Sequence, residues 1–382
     1  MAQMAISRCR VVFMTVKGFP ARLVQRLFDV SSKMPGVPII VLTANIEKEM
    51  QLEAMDTQRF ASRLVTWQKE CGRHGLPWMV RDPYARWLSE IMLQQTQVSV
   101  VIDYFARFTQ AFPTVRDLAF ADEEDVMQLW AGLGYYSRAR NLHAAARMVM
   151  DTFHGSFPKT SQELECLPGV GRSTAAAIAS FCFDEPVAIL DGNVKRVLSR
   201  VIALDEAIDK SAGTRILWQY AQALVSRQEP GIYNQAMMDL GAMICTRTAP
   251  KCLHCPIGEF CRAHQLGKER SYPVKTPPKK RPERTCSMYV YRKGGNVWLV
   301  RRTQKGVWQG LWSLPEVAPA DGGKVVRVSQ FTHDFTHYRL QAHICEVHAA
   351  PQGEGRWVRC ADIAQTALPT PVKKILLALY GG

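Results

Sequence analysis

The sequence predicts a multidomain chain, an all-α domain followed by a basic linker and a smaller α+β domain. Three observations carry that reading. From about residue 56 to 245, apolar residues recur at helical spacing, with Gly or Pro between the segments. Residues 262–284 hold eight basic side chains against two acidic ones and include the Pro-rich run KTPPKKRPER. Beyond that run the period changes to two. These patterns set four segments: an extension over 1–54, the all-α domain over 55–265, the linker over 266–284 and the β-rich domain over 285–382.

Taken in order, the extension is basic and apolar, as in SRCRVVFMTVKGFPARLVQRL, with no small-residue cleavage site. A start placed too far upstream, with Met55 as the true one, accounts for it as well as a targeting arm does. DTQRFASRLVTWQKECG predicts a helix ending at Gly72, and DPYARWLSEIMLQQ one with an Asp cap and Pro83 in its first turn. Further helices are expected in QVSVVIDYFARFTQAF, ADEEDVMQLWAGLG, SRARNLHAAARMVMDTF, STAAAIASFCF and VKRVLSRVIAL. SMYVYRK-GG-NVWLVRR reads as a hairpin. THYRLQAHI alternates Tyr338, Leu340, Ala342 and Ile344 with polar neighbours, a half-buried strand.

Composition narrows the partner. Lys plus Arg outnumber Asp plus Glu by 48 to 34, a formal charge of +14, in a chain that is 47% apolar. A folded protein of that balance suits a polyanion, although a merely basic enzyme has the same charge. No apolar run reaches the roughly 18 residues of a membrane span, so no membrane partner is expected. Four of the eleven cysteines cluster near the middle and the rest are scattered, unlike a secreted disulfide framework. A reducing, cytoplasmic compartment is expected.

LPGVGRSTAAAI, residues 167–178, is a tight turn opening into a helix of small residues. Gly169 and Gly171 permit positive φ and leave N–H groups uncovered at a helix N-terminus, where the dipole favours an anion. An ordinary helix–helix turn has the same Gly pattern. The full string, with Arg172 and Ser173, resembles the helix-hairpin-helix motif of DNA repair glycosylases, whose hairpin amides grip the backbone beside a lesion. Bifunctional members, similar to endonuclease III, carry a lysine where this chain has Ser173; that lysine attacks the sugar as an imine-forming nucleophile. Serine cannot form an imine. The resemblance therefore implies an enzyme that removes a base and stops.

Two carboxylates suit that chemistry. Glu90 lies among Trp87, Ile91, Met92 and Leu93, and Asp191 ends an apolar run just before a helix. A solvent-facing Glu and an N-cap Asp are the bland alternatives. Breaking a C1′–N bond needs an acid for the leaving base and a carboxylate facing the oxocarbenium-like centre. A Glu in apolar surroundings retains its proton to higher pH, while an Asp near helix N–H groups stays ionised. Glu90 is thus the candidate acid and Asp191 the candidate stabiliser or nucleophile, with Asn193 hydrogen-bonding nearby.

Cys245, Cys252, Cys255 and Cys261 follow C-x6-C-x2-C-x5-C, a metal-site spacing that leaves zinc and a four-iron–four-sulfur cluster both open. Arg247 and Lys251 lie inside that loop, which suggests a structural, DNA-docking role, and His254 is not expected to be a ligand.

Six strings in order, LPW, SEIMLQQTQV, GLGYYSRARNL, LPGVGRSTA, ILDGNVKRV and NQAMMDLGAMIC, resemble the adenine DNA glycosylases of the MutY type. The resemblance runs from about residue 56 to the C-terminus. It implies a helix-hairpin-helix glycosylase domain whose loop 245–261 holds one four-iron–four-sulfur cluster. It implies that Trp78 and Gln235 line an adenine pocket, and that Gln95 and Tyr135 insert into the duplex. RRTQKGVWQGLWSLPE resembles a Nudix-like domain; no Arg-Glu-x-x-Glu-Glu helix follows to hold Mg²⁺, so phosphohydrolysis is not expected. Phe335, Thr336 and His337 match the family's 8-oxoguanine loop, usually Phe-Ser-His. The expected activity is monofunctional removal of adenine opposite 8-oxoguanine or guanine in double-stranded DNA, by a monomer. A glycosylase with lyase activity and a non-catalytic DNA-binding scaffold are the alternatives, and Ser173 opposes the first as the carboxylate pair opposes the second.

Overall fold

The computed structural model describes residues 55–277, 280–320 and 324–381. The expected extension 1–54 lies outside the described residues. In chain order the helices are α1 Thr57–Cys71, α2 Pro83–Leu93, α3 Val98–Ala111, α4 Val115–Phe120, α5 Glu123–Trp130, α6 Ser137–Phe153, α7 Ser161–Leu164, α8 Arg172–Phe183, α9 Gly192–Val201, α10 Ser211–Leu224, α11 Pro230–Asp239, α12 Arg262–Gln265 and α13 Thr370–Tyr380. The strands are β1 Glu283–Lys293, β2 Asn296–Arg301, β3 Trp312–Ser313, β4 Lys324–Asp334, β5 Arg339–His348 and β6 Arg356–Arg359. They fall into two compact units. The first combines the described chain up to Arg73 with Pro186–Thr276, and the second combines His74–Glu185 with the described residues from Pro277 onward.

Local chemistry fixes the helix ends. Asp56 accepts from Arg59 N at 2.9 Å to cap α1, and Asp82 accepts from Tyr84 N and Ala85 N, at 3.2 and 3.0 Å, to cap α2 ahead of Pro83. Thr114 and Asp117 form a reciprocal capping box on α4. The helices α4, α7 and α10–α13 escaped the sequence reading. The first two span six and four residues, too few for periodicity to register, and α10 begins without a side-chain cap.

In the first unit α1 and α9–α11 close on one core that includes Phe60, Leu64, Leu198, Leu217 and Leu240. The last turn of α11 widens into a π turn, Leu240–Ile244, directly before Cys245. In the second unit the small residues Ala175, Ala176, Ala177 and Ala179 of α8 are buried, which lets α8 approach α2 closely.

The same unit carries a mixed sheet in the order β3-β2-β1-β5-β4, with β6 also on β2. β1 and β5 run parallel and the other pairs antiparallel. The expected hairpin is present: Lys293 pairs with Asn296 around Gly294 and Gly295, whose φ angles are +53° and +77°. Leu340, Ala342 and Ile344 are buried as the alternation required. Tyr338, read as part of that strand, instead stands in the β4–β5 turn. There Phe335 N donates to Tyr338 O at 2.9 Å, and the two rings lie 4.8 Å apart. No helix among the described residues is long and apolar enough to cross a membrane.

Candidate active site and nucleic-acid interface

The hairpin before α8 needs its glycine twice over. Gly169 sits at φ +77°, and a Cβ there would lie 2.8 Å from Asn141 Cβ. Gly171 is the N-cap of α8 and brings no side chain to its first amides. Arg172 is exposed and Ser173 half-buried in the first turn. Gln94, at the end of α2, donates to Thr174 Oγ1 at 3.3 Å, tying the two helix ends together.

Glu90 is half-buried on α2, whose neighbours Trp87, Leu88, Ile91 and Met92 are buried. The sequence reading missed Arg86 one turn before it. Its guanidinium is 4.0 Å from the Phe181 ring, burial pushes its pKa down, and the Glu90 charge partly offsets that. The surroundings of Glu90 are therefore apolar with one buried cation.

Gln95 and Tyr135 both have left-handed backbones, φ +58° and +49°, and both are exposed. A non-glycine residue there is strained, and the surroundings must impose the conformation. Arg138 does so. Its buried guanidinium donates to Ile91 O, Met92 O, Gln94 O and Thr96 Oγ1 on one side, at 2.7, 2.8, 2.8 and 3.2 Å. On the other it reaches Leu133 O and Gly134 O at 3.3 and 3.2 Å. One side chain thus fastens both loops, and burial lowers its pKa to about 10. Trp78 is buried edge-to-face against Phe105, within the core of the second unit.

The β4–β5 turn holds Phe335, Thr336 and His337. It lines a cavity of about 430 Å³ together with Tyr135, Arg140 and Trp308. Phe335 packs on Trp308 at 5.1 Å and on His333 at 4.6 Å between ring centroids. Trp308 has φ +62°, an outlier for a bulky residue, and no local pattern in the chain signals this ring cluster. The helices and the sheet also meet through polar contacts: Glu124 accepts from Trp312 Nε1 at 2.9 Å and pairs with Arg356 at 2.7 Å.

The remaining candidates belong to the first unit. Asp191 caps α9, accepting from Val194 N at 2.7 Å and from Asn193 Nδ2 at 3.2 Å. The N-cap role is real. Burial pushes the Asp191 carboxyl above its ordinary range, against the pull of these donors and of Arg196. Arg196 donates to Asn193 Oδ1 at 2.9 Å, Gly241 O at 2.7 Å and Cys245 O at 2.8 Å, so it joins this capped turn to the cysteine loop. A Cβ at Gly241 would be 2.6 Å from Asn193 Cβ, which is why the π turn carries glycine there.

Cys245, Cys252, Cys255 and Cys261 line one pocket with Arg200, His264 and Glu269. Burial raises the Cys255 thiol to about 12 and the Cys261 thiol to about 11. Thiolates in so dry a pocket call for a compensating cation, and four sulfurs from one loop supply the donor set of a metal centre. Arg200 donates to Cys245 Sγ at 3.2 Å. His254 is exposed, while His264, which the sequence reading passed over, faces the pocket and meets Glu269 Oε1 at 2.6 Å. Gln235, on α11, donates to Asp239 Oδ1 at 2.8 Å.

A glycine hairpin feeding a small-residue helix, set beside a fused mixed sheet, points to DNA glycosylases of the helix-hairpin-helix class. Residues 88–223 match the HhH-GPD superfamily base excision DNA repair protein family, and residues 286–378 match the NUDIX domain. The chain is 34% identical over 401 residues to the adenine DNA glycosylase of Rattus norvegicus, covering 84% of this chain and 78% of that one. It is 32% identical over 337 residues to that of Buchnera aphidicola subsp. Acyrthosiphon pisum, covering 83% and 96%. It belongs to the adenine DNA glycosylase family. Among solved structures, a thermostable thymine-DNA glycosylase aligns with a TM-score of 0.50 at 26% identity, over 55% of this chain and 97% of that one.

Proposed function

We propose that this enzyme hydrolyses the C1′–N bond of adenine mispaired with 8-oxoguanine or guanine in double-stranded DNA and leaves the strand intact. The observation that carries the reading is the shared cavity: Tyr135, the candidate wedge, and Phe335–His337, the candidate reading loop, line the same space. A wedge and a base reader must act on one base pair, so their convergence suits recognition of a mispair. Glu90 donates a proton to the departing adenine, and the Asp191 carboxylate faces the positive charge that grows on the sugar. Water completes the substitution, giving an abasic site and free adenine. The amides at Gly169, Gly171 and Arg172 hold a phosphate beside the extruded nucleotide. Ser173 supplies no amine, so no strand cleavage follows.

Cys245, Cys252, Cys255 and Cys261 would hold one four-iron–four-sulfur cluster; when bound it staples the loop and presents Arg247 and Lys251 to DNA. Residues 55–265, 266–284 and 285–382 serve as glycosylase domain, basic linker and 8-oxoguanine-recognition domain of a monomer acting in the bacterial cytoplasm at the nucleoid. Single-turnover excision from A:8-oxoguanine, A:G and A:T duplexes tests the reading. The rates should fall in that order, and Glu90→Gln should lower all of them by about 10²–10⁴-fold. Equal rates on the three duplexes, or a Glu90→Gln enzyme within a few-fold of the parent, would overturn it.

A further inference from the structure

Arg86 lies four residues before Glu90 on α2, a spacing that puts both on one face of the helix with Cβ atoms about 5–6 Å apart. Arg86 is 6% exposed, and its buried Nε has no hydrogen-bond partner among the described residues. The face of its guanidinium is taken by the Phe181 ring of α8. Stacking of this kind holds a cation in place without neutralising it. Burial pushes the Arg86 pKa down, while Glu90 and Cys182 hold it up, so the two ends of this helical turn act on each other electrostatically.

The other charged groups around α2 have different engagements. Helices α3, α6 and α8 pack on it. On α8, burial raises the Cys182 thiol to about 11, which keeps it protonated and neutral, and Arg172 is exposed. Arg81 pairs with Asp184 beyond the end of α8, and Asp82 caps α2. On α6, Arg138 clasps the carbonyls that end α2, while Arg140, His143 and Arg147 line a separate cleft with Glu123. Asp103 and Arg107 of α3 are exposed. Arg86 is therefore a buried cation, held one turn from Glu90, that no step described so far uses.

We propose that Arg86 is a positioning residue acting through Glu90: it sets how readily the acid yields its proton, by stabilising the carboxylate left behind. This rests on the reading above that Glu90 is the acid. The proton passes from Glu90 to a ring nitrogen of adenine, the O–H electron pair stays on Glu90, and the C1′–N pair leaves with the base. A cation beside the new carboxylate makes Glu90 a stronger acid, which speeds transfer from the protonated form. It also empties that form at lower pH. The two effects oppose each other, and only part of the first is felt in the transition state.

The test is the pH profile of single-turnover excision from an A:8-oxoguanine duplex by full-length enzyme. In Arg86→Met the alkaline limb should move up by about one pH unit. With the proton about half transferred, the plateau rate should fall about threefold and the rate beyond the limb should rise about threefold, so the two profiles cross. Arg86→Lys returns a cation and should bring the limb back toward the parent. Phe181→Leu keeps the charge but frees it from the ring, and should move the limb less, in the same direction; it carries the test should Arg86→Met not fold. Carbon-13 NMR titration of the Glu90 carboxyl in DNA-free enzyme should follow the limb. A rate lowered equally at every pH, or a Glu90 titration unmoved in Arg86→Met, would overturn the proposal. A titration that moves while the limb stays would instead overturn Glu90 as the acid, and with it any part for Arg86 in excision.

Discussion

Buried charges in the helical units and the exposed β4–β5 turn place polar groups in different ways. Arg138, Asp191 and Asp239 are held by networks of hydrogen bonds in dry surroundings, where most donors and acceptors have a set partner and Arg138 Nε and Gln68 Oε1 do not. Thr336 and His337 stand in solvent, and the turn beneath them is held by stacked rings of Phe335, Trp308, His333 and Tyr338. A buried network fixes polarity as well as position, and losing a member costs stability or chemistry outright. A ring-held turn fixes position alone, so its polar tips can change with little effect on anything but a ligand. The difference predicts how far each substitution reaches.

The largest effect should come from Asp191→Asn. The amide oxygen can still cap α9 through Val194 N, but the charge proposed to face the sugar is gone, and single-turnover excision should fall about 10³-fold or more. Stability should move the other way. Burial raises the folded-state pKa of Asp191 above its unfolded value. The associated stability is therefore complete below the unfolded pKa of about 3.9 and is lost as pH rises through the folded one. At pH 7 the parent carries that cost and the variant does not, so the variant's Tm relative to the parent should be higher at pH 7 than at pH 4. Excision by the parent should fade on the acid side above the usual carboxylate range. Normal excision with a lowered Tm would leave Asp191 as a cap alone.

Arg138→Met comes next. It strips the carbonyls of Ile91, Met92, Gln94, Leu133 and Gly134 of a shared donor. Denaturant unfolding should show a loss of about 3–5 kcal/mol, with Arg138→Lys intermediate because an ammonium cannot span both loops. Since Gln95 and Tyr135 lose their strained backbones with the clasp, binding to mispaired duplex should weaken more than binding to undamaged duplex. Equal weakening would show that the two loops do not contact the mispair.

The exposed turn predicts a narrower outcome. Replacing Thr336 and His337 together by alanine, with the Phe335 ring kept, should cut the 8-oxoguanine-over-guanine preference by about 10–100-fold, leaving adenine excision from A:G pairs near that of the parent. Equal losses on both substrates would make this region a general DNA clamp and erase the contrast with the buried networks.

The same contrast explains what could be read from the chain. Asp82-Pro83, Gly294-Gly295 and the four cysteines are local signals, and each lies where its spacing said. Ser173, Thr336 and the carboxylates are proposed from residue type alone, because single residue types limit chemistry. Arg138 and Asp239 were not, because a buried charge looks like a surface charge until the partners arrive from distant segments, such as Gln68 and Arg73 for Asp239. Trp308 was hidden for a related reason: neither its positive φ nor its stacking on Phe335 leaves a mark in sequence. Local patterns report elements, while long-range satisfaction reports sites.

The smallest effect should appear at Ser173, half-buried in the first turn of α8 and so between the two regimes. In Ser173→Lys the new amine sits where the helix dipole disfavours positive charge, which holds more of it neutral than in a surface lysine. A neutral amine near C1′ can add to the ring-opened sugar of an abasic site, lose water to form an imine, and allow β-elimination of the 3′ phosphate. The parent has no such nucleophile at this position. Borohydride trapping of the variant on abasic and A:8-oxoguanine duplexes should give a minor covalent adduct and slow nicking, because the substitution adds an amine without adding a group to assist it. The parent should give neither product from this position. Absence of any adduct from a folded, DNA-binding variant would mean that residue 173 does not face the sugar, and the hairpin would then hold the phosphate from a register different from the one proposed.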